Sequence, residues 1–287
     1  MKNYYIASVS FGKDSLAMLL LLLEKQLPLD EVVFVNTGYE FNSTYAMRDR
    51  FLVMLKERNE SGMYPWITYT EIDIFDEFTF SMFDKPVFHR GQEQRPDAQC
   101  HRVGFGWCGG VCRWGTGLKF DGLRKFYREI LHDKKRFPDG VQIIEYVGIA
   151  ADEKDRLERE TTICKGCQKS YPLVDYNLKE KDCLEMCYAN GYTYQETVVD
   201  KLGVSHEAFL YRDLVSRGSC RMCRNKNLKE LSNLYHLGYQ TYFKPLLDMQ
   251  EKIPEPFYQG RETVSDLVKR FDRRGYQLSI DQLFDFV

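Results

Sequence analysis

The sequence predicts an α/β fold: a doubly wound, mostly parallel sheet followed by a helical C-terminal lobe. Over the first half of the chain, short continuous apolar runs alternate with helix-like stretches, an order typical of parallel sheets covered on both faces. From about residue 180 onward, the strand signals stop and helical spacing takes over. We therefore expect an α/β domain over residues 1–178 and a helical region over residues 179–287.

The predicted elements follow one another in a simple order. The strands of the first domain are expected at 4–9, 32–35, 66–70 and 143–147, and its helices at 14–26, 43–58 and 117–136. The helical segments of the second region are expected at 181–190, 206–216, 226–237, 239–251 and 261–274. Ligands of parallel sheets bind beyond the carboxyl ends of the strands, so the residues that follow each strand are the first candidates for a site.

Composition narrows the class of protein. The net charge of −2 and the pI near 6.3 argue against a protein that coats nucleic acid by bulk electrostatics. The apolar run at 16–23 is too short to span a bilayer, and the first strand begins so near Met1 that we expect no signal peptide. We therefore expect a cytoplasmic protein with no membrane partner, whose nine cysteines are thiols or metal ligands.

Residues 10–15, Ser-Phe-Gly-Lys-Asp-Ser, join the first predicted strand to the first predicted helix. Gly12 allows the backbone to approach a phosphate closely, and Lys13 supplies a positive charge. Ser10 and Ser15 add hydroxyl donors, and the first N–H groups of the helix add the positive end of its dipole. The loop is not a Walker A motif, because no G-x-x-x-x-G-K-[ST] occurs in the chain. It predicts a phosphate-binding site of another kind.

The same loop resembles the S-[GF]-G-K-D-S motif of the ATP pyrophosphatase (PP-loop) superfamily. Further segments resemble its phosphoadenosine phosphosulfate (PAPS) reductase branch, with Asn36 in place of the usual Asp and Gly115 where Cys is common. The resemblance extends over roughly residues 4–250 and implies the adenine nucleotide alpha hydrolase-like fold. The main matching segments are residues 36–41 (Asn-Thr-Gly-Tyr-Glu-Phe), 113–119 (Arg-Trp-Gly-Thr-Gly-Leu-Lys), 148–156 (Gly-Ile-Ala-Ala-Asp-Glu-Lys-Asp-Arg) and 171–176 (Tyr-Pro-Leu-Val-Asp-Tyr).

The resemblance also implies the chemistry of the site. Family members grip the pyrophosphate end of ATP or the phosphosulfate end of an adenylyl sulfate such as PAPS. We expect catalytic roles for Lys13, Arg113 and Lys119, which neutralise phosphate charge, and for Asp14, which helps to bind Mg²⁺. The residues expected to bind the nucleotide are Ser10, Phe11, Gly12, Lys13, Asp14, Ser15, Asp152 and Glu153, together with Thr37, Gly38 and Gly148 near the adenosine.

One element of the thiol-dependent family members is missing. Those proteins resemble one another in a C-terminal E-C-G-x-H segment whose Cys attacks the sulfur, whereas no Cys follows Cys223 in this chain. The adjacent Cys-Cys pair of the iron–sulfur adenylyl sulfate reductases is absent too. We therefore expect thioredoxin-coupled PAPS reduction to be slow or absent unless Cys108 or Cys112 supplies the nucleophile.

Two C-x-x-C pairs, Cys164 with Cys167 and Cys220 with Cys223, predict a metal site. Each pair can supply two corners of a tetrahedron, and four thiolates suit zinc or an iron–sulfur cluster. A second set of partners stays open, because Cys183 and Cys187 lie four residues apart on one face of a predicted helix. These two can replace Cys164 and Cys167 as ligands, or they are small buried side chains that pack the helix.

Two classes of function follow. The first is a PP-loop transferase or oxidoreductase that acts on ATP or an adenylyl sulfate, in sulfur metabolism or in adenylation-dependent thiolation, with a sulfur donor or thiol reductant protein as partner. The second is a nucleotide-dependent binding or defence module that lacks turnover. A basic stretch over residues 119–136 would let such a module contact nucleic acid, although a solvated helix face explains it as well.

Overall fold

The computed structural model describes residues 1–89, 98–108, 113–158 and 164–274, without the side chains of Arg113 and Arg274. The chain divides into two compact units. One contains Met1–Ile74 and Leu118–Tyr194, and the other contains Phe75–Gly117 and Gln195–Val287. The boundary expected at residue 178 therefore lies within the first unit. No helix in the described ranges is long and apolar enough to cross a membrane.

The described residues form the following strands, helices and π-helical turns, with strands and helices alternating along the first half of the chain. The strands are β1 (Lys2–Val9), β2 (Glu31–Asn36), β3 (Thr68–Asp73), β4 (Pro86–Val87), β5 (Arg102–Val103), β6 (Val141–Val147), β7 (Cys167–Ser170), β8 (Gln195–Val199) and β9 (Ser205–Phe209). The helices are α1 (Lys13–Glu24), α2 (Asn42–Glu60), α3 (Phe75–Phe83), α4 (Arg113–His132), α5 (Lys154–Leu157), α6 (Pro172–Asp175), α7 (Glu180–Ala189), α8 (Leu228–His236), α9 (Lys244–Gln250) and α10 (Val264–Arg274). Two π-helical turns cover Leu210–Leu214 and Tyr239–Phe243.

The first unit is built on a five-stranded parallel sheet in the order β3-β2-β1-β6-β7. β1 is central, and its Ile6 lies opposite Glu31 of β2 and Glu145 of β6. The predicted parallel α/β sheet is confirmed, and β7 is an edge strand that the sequence analysis did not indicate. Because β2 and β3 extend the sheet on one side of β1 while β6 and β7 extend it on the other, strand order reverses between β1 and β6. The carboxyl ends of these two strands therefore form the crevice where ligands of such sheets bind.

The second unit contains a hairpin where the sequence analysis predicts only helices. β8 and β9 pair antiparallel, with Gln195 opposite Phe209, so the prediction of a helix over residues 206–216 is wrong for residues 206–209, which belong to β9. Glu196 and Val198 are buried while Gln195 and Thr197 are exposed. This is the two-residue alternation of a strand, and it is too short to stand out beside the longer helical patterns around it.

Candidate functional site

The loop of residues 10–15 lies beyond the carboxyl end of β1, at the start of α1, as the sequence predicts. Its two serines bond within the loop. The backbone N–H of Ser10 donates to Oγ of Ser15 at 3.2 Å, and that hydroxyl donates to the Gly12 carbonyl at 3.1 Å. The Gly12 carbonyl also accepts the N–H of Leu16 at 3.0 Å, the first bond of the helical ladder. These bonds hold the loop as a tight turn around the N-terminus of α1, where backbone N–H groups favour an anion.

Phe11 gives this turn its shape. Its φ angle is +55°, a left-handed conformation that non-glycine residues rarely adopt. Its side chain is fully buried and packs against the rings of Phe34 and Phe51 at centroid distances of 5.4 and 5.8 Å. Its carbonyl accepts a hydrogen bond of 3.0 Å from the hydroxyl of Tyr194. The Phe11 side chain therefore belongs to the core, and only its backbone is positioned for a ligand.

Lys13 is buried and paired with two carboxylates. Its Nζ atom lies 3.0 Å from Asp14 Oδ1 and 2.8 Å from Glu180 Oε2. Burial lowers the pKa of Lys13, but the carboxylates of Asp14 and Glu180 outweigh that effect and raise it overall. Burial raises the pKa of the Asp14 carboxyl, and Lys13 opposes this increase. Lys13 therefore carries its positive charge at neutral pH, held at the first turn of α1.

Helix α7 packs beneath the loop through its cysteines. Cys187 is fully buried, and its thiol donates to the Lys13 carbonyl at 3.4 Å. Burial raises the pKa of the Cys187 thiol to about 12 and raises that of the Cys183 thiol as well. Both side chains are fully buried in the first unit, and a ligand role for them stays a prediction.

The loop that follows β2 is fixed by its own side chains. Oδ1 of Asn36 accepts the N–H of Gly38 and the hydroxyl of Tyr45, both at 2.9 Å, and its Nδ2 donates to Glu71 at 2.8 Å. A carboxylate at position 36 would repel Glu71, so the amide that departs from the family pattern suits this chain. The N–H of Tyr39 donates to Oγ1 of the buried Thr37 at 3.2 Å.

A buried carboxylate in the same loop holds one of the predicted cations. Glu40 is buried, and its Oε1 atom lies 2.9 Å from Nζ of Lys119 in α4. Oγ1 of Thr37 also donates to Glu40, at 3.3 Å. Lys119 is thus directed at the carboxyl end of β2. The side chain of Arg113, the other predicted cation of α4, lies outside the described residues.

The loop that follows β6 meets the loop that follows β1. Gly148 packs against the backbone of Ser15, with no room for a side chain. Oδ1 of Asp152 accepts the backbone N–H of Glu180 at 3.0 Å, and Glu153 accepts the N–H of Ala150 at 3.4 Å. The structure thus brings the loops after β1 and β6 together with the start of α7.

Sequence reasoning missed three residues of this arrangement. Glu40 lies within residues 36–41, a segment that the sequence analysis discusses. Its carboxylate could therefore have been recognised there as a partner for a cation. Glu180 and Tyr194 carry no local signal, because their partners lie 167 and 183 residues away along the chain.

The two C-x-x-C pairs of the predicted metal site lie in different units of the structure. Cys164 and Cys167 lie in the first unit and are joined as a disulfide. Cys220 and Cys223, in the second unit, form a turn in which the N–H of Cys223 donates to the Cys220 carbonyl at 3.0 Å. Over the ranges that the structure describes, no group of three or more His, Cys, Asp or Glu side chains is arranged to hold a metal ion. Metal binding stays a prediction.

Within the second unit, Cys108 lies beside this turn. The Cys108 carbonyl accepts the backbone N–H of Arg224 at 3.0 Å, and the Cys108 side chain is buried. The turn itself is held by the buried Lys226, whose Nζ atom donates to the Cys220 carbonyl at 2.9 Å. Cys112 lies outside the described residues.

One protein-family model matches the segment that contains the loop of residues 10–15. Residues 4–58, from β1 to the end of α2, match the family model of the phosphoadenosine phosphosulfate reductase domain. No curated protein matches the chain. A solved structure, the U34-tRNA thiolase NcsA from Methanococcus maripaludis with its [4Fe-4S] cluster, is 14% identical and has a TM-score of 0.33. The alignment covers 97% of this chain and 75% of that one. That TM-score is too low to transfer a function.

Proposed function

We propose that the protein is an enzyme acting on ATP or an adenylyl sulfate, on the premise that residues 4–58 match the family model of the phosphoadenosine phosphosulfate reductase domain. The phosphate groups would lie on the loop of residues 10–15, and the reaction would take place at the phosphate or sulfate end of the nucleotide. The observation that carries this proposal is the loop itself, a tight turn at the N-terminus of α1 with the Lys13 ammonium beside it.

The charges around the loop support chemistry at a phosphate. With ATP, an oxygen of the acceptor would attack the α-phosphate, pyrophosphate would leave, and a sulfur or nitrogen nucleophile would then displace AMP. Both steps build negative charge on phosphate oxygens, which positioned cations stabilise. Lys13 is the cation of the loop itself, and Lys119 is held at the neighbouring strand end by Glu40. Asp14, in the first turn of α1, is a carboxylate of the kind that binds Mg²⁺ together with substrate phosphates.

With an adenylyl sulfate, the reaction would be a reduction. A thiolate would attack the sulfate sulfur and release the nucleotide, and a second thiol would then release sulfite while the two thiols became a disulfide. Two thiols are consumed for each sulfite, so a dithiol protein or a small dithiol must supply the electrons. Burial raises the pKa of the Cys183 and Cys187 thiols, so neither presents a ready thiolate.

The two C-x-x-C pairs raise the separate question of a metal cofactor. Thiolates are suitable donors for zinc or an iron–sulfur cluster, but the described residues present no assembled ligand set and Cys164 and Cys167 are joined to each other. Metal binding by these cysteines stays a prediction, and no step of the proposed reaction is assigned to a cysteine-bound metal.

Turnover with two nucleotides tests the proposal. We expect the purified protein with Mg²⁺ to release pyrophosphate from ATP in the presence of its acceptor, or sulfite from PAPS in the presence of dithiothreitol. Calorimetry on the same samples measures binding. Lys13→Ala should abolish turnover, whereas Lys25→Ala, at the exposed end of α1, should leave it unchanged.

Three outcomes separate the alternatives. Binding of ATP without either product would favour the nucleotide-dependent binding or defence module. Absence of binding to both nucleotides would overturn the proposed function. Rapid release of sulfite by a Cys108→Ser, Cys112→Ser double variant would show that neither of these two thiols is the nucleophile.

A further inference from the structure

The ammonium of Lys13 is paired with carboxylates. A phosphate bound at this loop would need the same ammonium as a hydrogen-bond donor. Asp14 Oδ1 and Oδ2 lie 3.0 and 3.2 Å from Nζ, and Glu180 Oε2 lies 2.8 Å from it. An ammonium has three N–H donors. A phosphate oxygen that accepts a bond from Nζ must therefore compete with at least one of these carboxylates.

Glu180 is the carboxylate that can leave. Asp14 is adjacent to Lys13 in the first turn of α1, and its side chain is 21% exposed, whereas the Glu180 side chain is 31% exposed and reaches Lys13 from α7. The backbone of Glu180 is fixed independently, because its N–H donates to Asp152. The N-terminal cap of α7 uses other residues, with the N–H of Lys179 donating to Asp182 at 2.9 Å. The Glu180 carboxylate can rotate into water while its helix stays in place.

We propose that the Glu180 carboxylate occupies the position of a phosphate oxygen on Lys13 in the unliganded protein, and that the nucleotide phosphates displace it. This inference rests on the proposed function, since it assigns Glu180 a role at the same site. Glu180 is then a competing counter-ion: it keeps Lys13 charged and in place, and it lowers the affinity for anions. A residue that only supported the fold would have the opposite effect when replaced.

The test is the affinity for inorganic pyrophosphate and, separately, for ATP, measured by calorimetry. Glu180→Gln keeps the size of the side chain and removes the charge. It should bind both ligands about two- to fivefold more tightly than the original protein, the range for a partly exposed ion pair. Glu180→Asp keeps the charge on a shorter side chain and should fall between the two. The matched control is Glu185→Gln, in the same helix, where the exposed carboxylate pairs with Lys181. It makes the same change in net charge and should leave both affinities unchanged.

A second measurement tests the ion pair without any ligand. Acetic anhydride acylates uncharged amines, so the rate of Lys13 acetylation, followed by mass spectrometry relative to Lys25, reports how well the ammonium is stabilised. Glu180→Gln should accelerate acetylation of Lys13, because loss of the carboxylate lowers the pKa of the amine and opens access to it. Glu185→Gln should not.

The two measurements distinguish the possible failures. Faster acetylation in Glu180→Gln together with unchanged or weaker affinity would show that Glu180 pairs with Lys13 but does not compete with phosphate, and would overturn the inference. Unchanged acetylation would remove the ion pair and the inference with it. Faster acetylation with no binding of pyrophosphate or ATP by any variant, the original protein included, would reject the nucleotide site itself.

Discussion

Gly148, the residue that follows β6, packs directly on the backbone of Ser15 at the start of α1. A Cβ atom added to Gly148 would lie 2.7 Å from the Cα atom of Ser15 and 2.9 Å from its backbone nitrogen. Both distances are well inside van der Waals contact, where repulsion is steep. Glycine at position 148 therefore allows the end of β6 to lie against the phosphate loop of residues 10–15.

Gly148→Ala should displace the first turn of α1. We expect the free energy of unfolding to fall by about 1–3 kcal/mol, the usual effect of overpacking, and the affinity for ATP to fall because Lys13 and Ser15 move. Urea unfolding and calorimetry measure the two effects. Gly117→Ala is the matched control, because no atom of the described residues lies within 4 Å of a Cβ at that helical position. It should be neutral or stabilise the protein by about 0.5–1 kcal/mol. Equal stability of the original protein and Gly148→Ala would contradict the close approach.

Tyr194→Phe should destabilise the phosphate loop by removing a hydrogen bond to its backbone. The substitution keeps the buried ring and removes the hydroxyl that donates to the Phe11 carbonyl. That hydrogen bond stabilises the left-handed backbone conformation of Phe11. We expect a loss of about 1–3 kcal/mol in the free energy of unfolding, the range for a buried polar group deprived of its partner. Affinity for ATP should fall as well. Tyr176→Phe, at an exposed tyrosine, serves as the control in urea unfolding. A variant as stable as the original protein would show that the loop keeps its shape without this bond.

Lys13→Ala should weaken binding of ATP or PAPS by about 1.5–3 kcal/mol, the range for hydrogen bonds to charged groups. The ammonium is the positive side chain of the loop, and its two carboxylate partners would remain there without it. Calorimetry with the Lys25→Ala variant alongside checks the effect. Unchanged affinity would remove Lys13 from the site.

Cys220→Ser and Cys223→Ser should each reduce the metal content of anaerobically purified protein. Zinc is the expected element, since a closed thiolate site suits a structural role, and elemental analysis checks it. A brown protein with visible absorbance would reject zinc in favour of an iron–sulfur cluster. Cys100→Ser, at an exposed thiol, is the control.

The partners of Cys220 and Cys223 are decided by a second comparison. Cys164→Ser should lose metal if the two C-x-x-C pairs act together. Loss in Cys108→Ser alone would instead select the cysteine whose carbonyl bonds to Arg224. Loss in Cys183→Ser alone would select the α7 pair.

The sequence by itself predicted the loop and four of the five strands of the sheet, all but β7. β1, β2 and β6 each contain a mostly apolar run, and the turn after β1 contains the glycine, lysine and serines that an anion requires. Both signals are local: a buried parallel strand needs apolar side chains on both faces, and a phosphate loop needs its groups within a few residues of a helix start. The hairpin of β8 and β9 was missed because its two strands are too short to give a clear local pattern.

Only the tertiary structure decided what surrounds Lys13. The sequence placed the lysine in a phosphate loop, but Glu180 and Tyr194 reach that loop from α7 and the residues after it, and the thiol of Cys187 bonds to its backbone. These contacts join segments more than 160 residues apart, and they exist because α7 packs on α1 within the first unit. No local pattern encodes a pairing of this kind. It follows from the burial of two helix faces against each other, which determines the neighbours of every polar group at their ends.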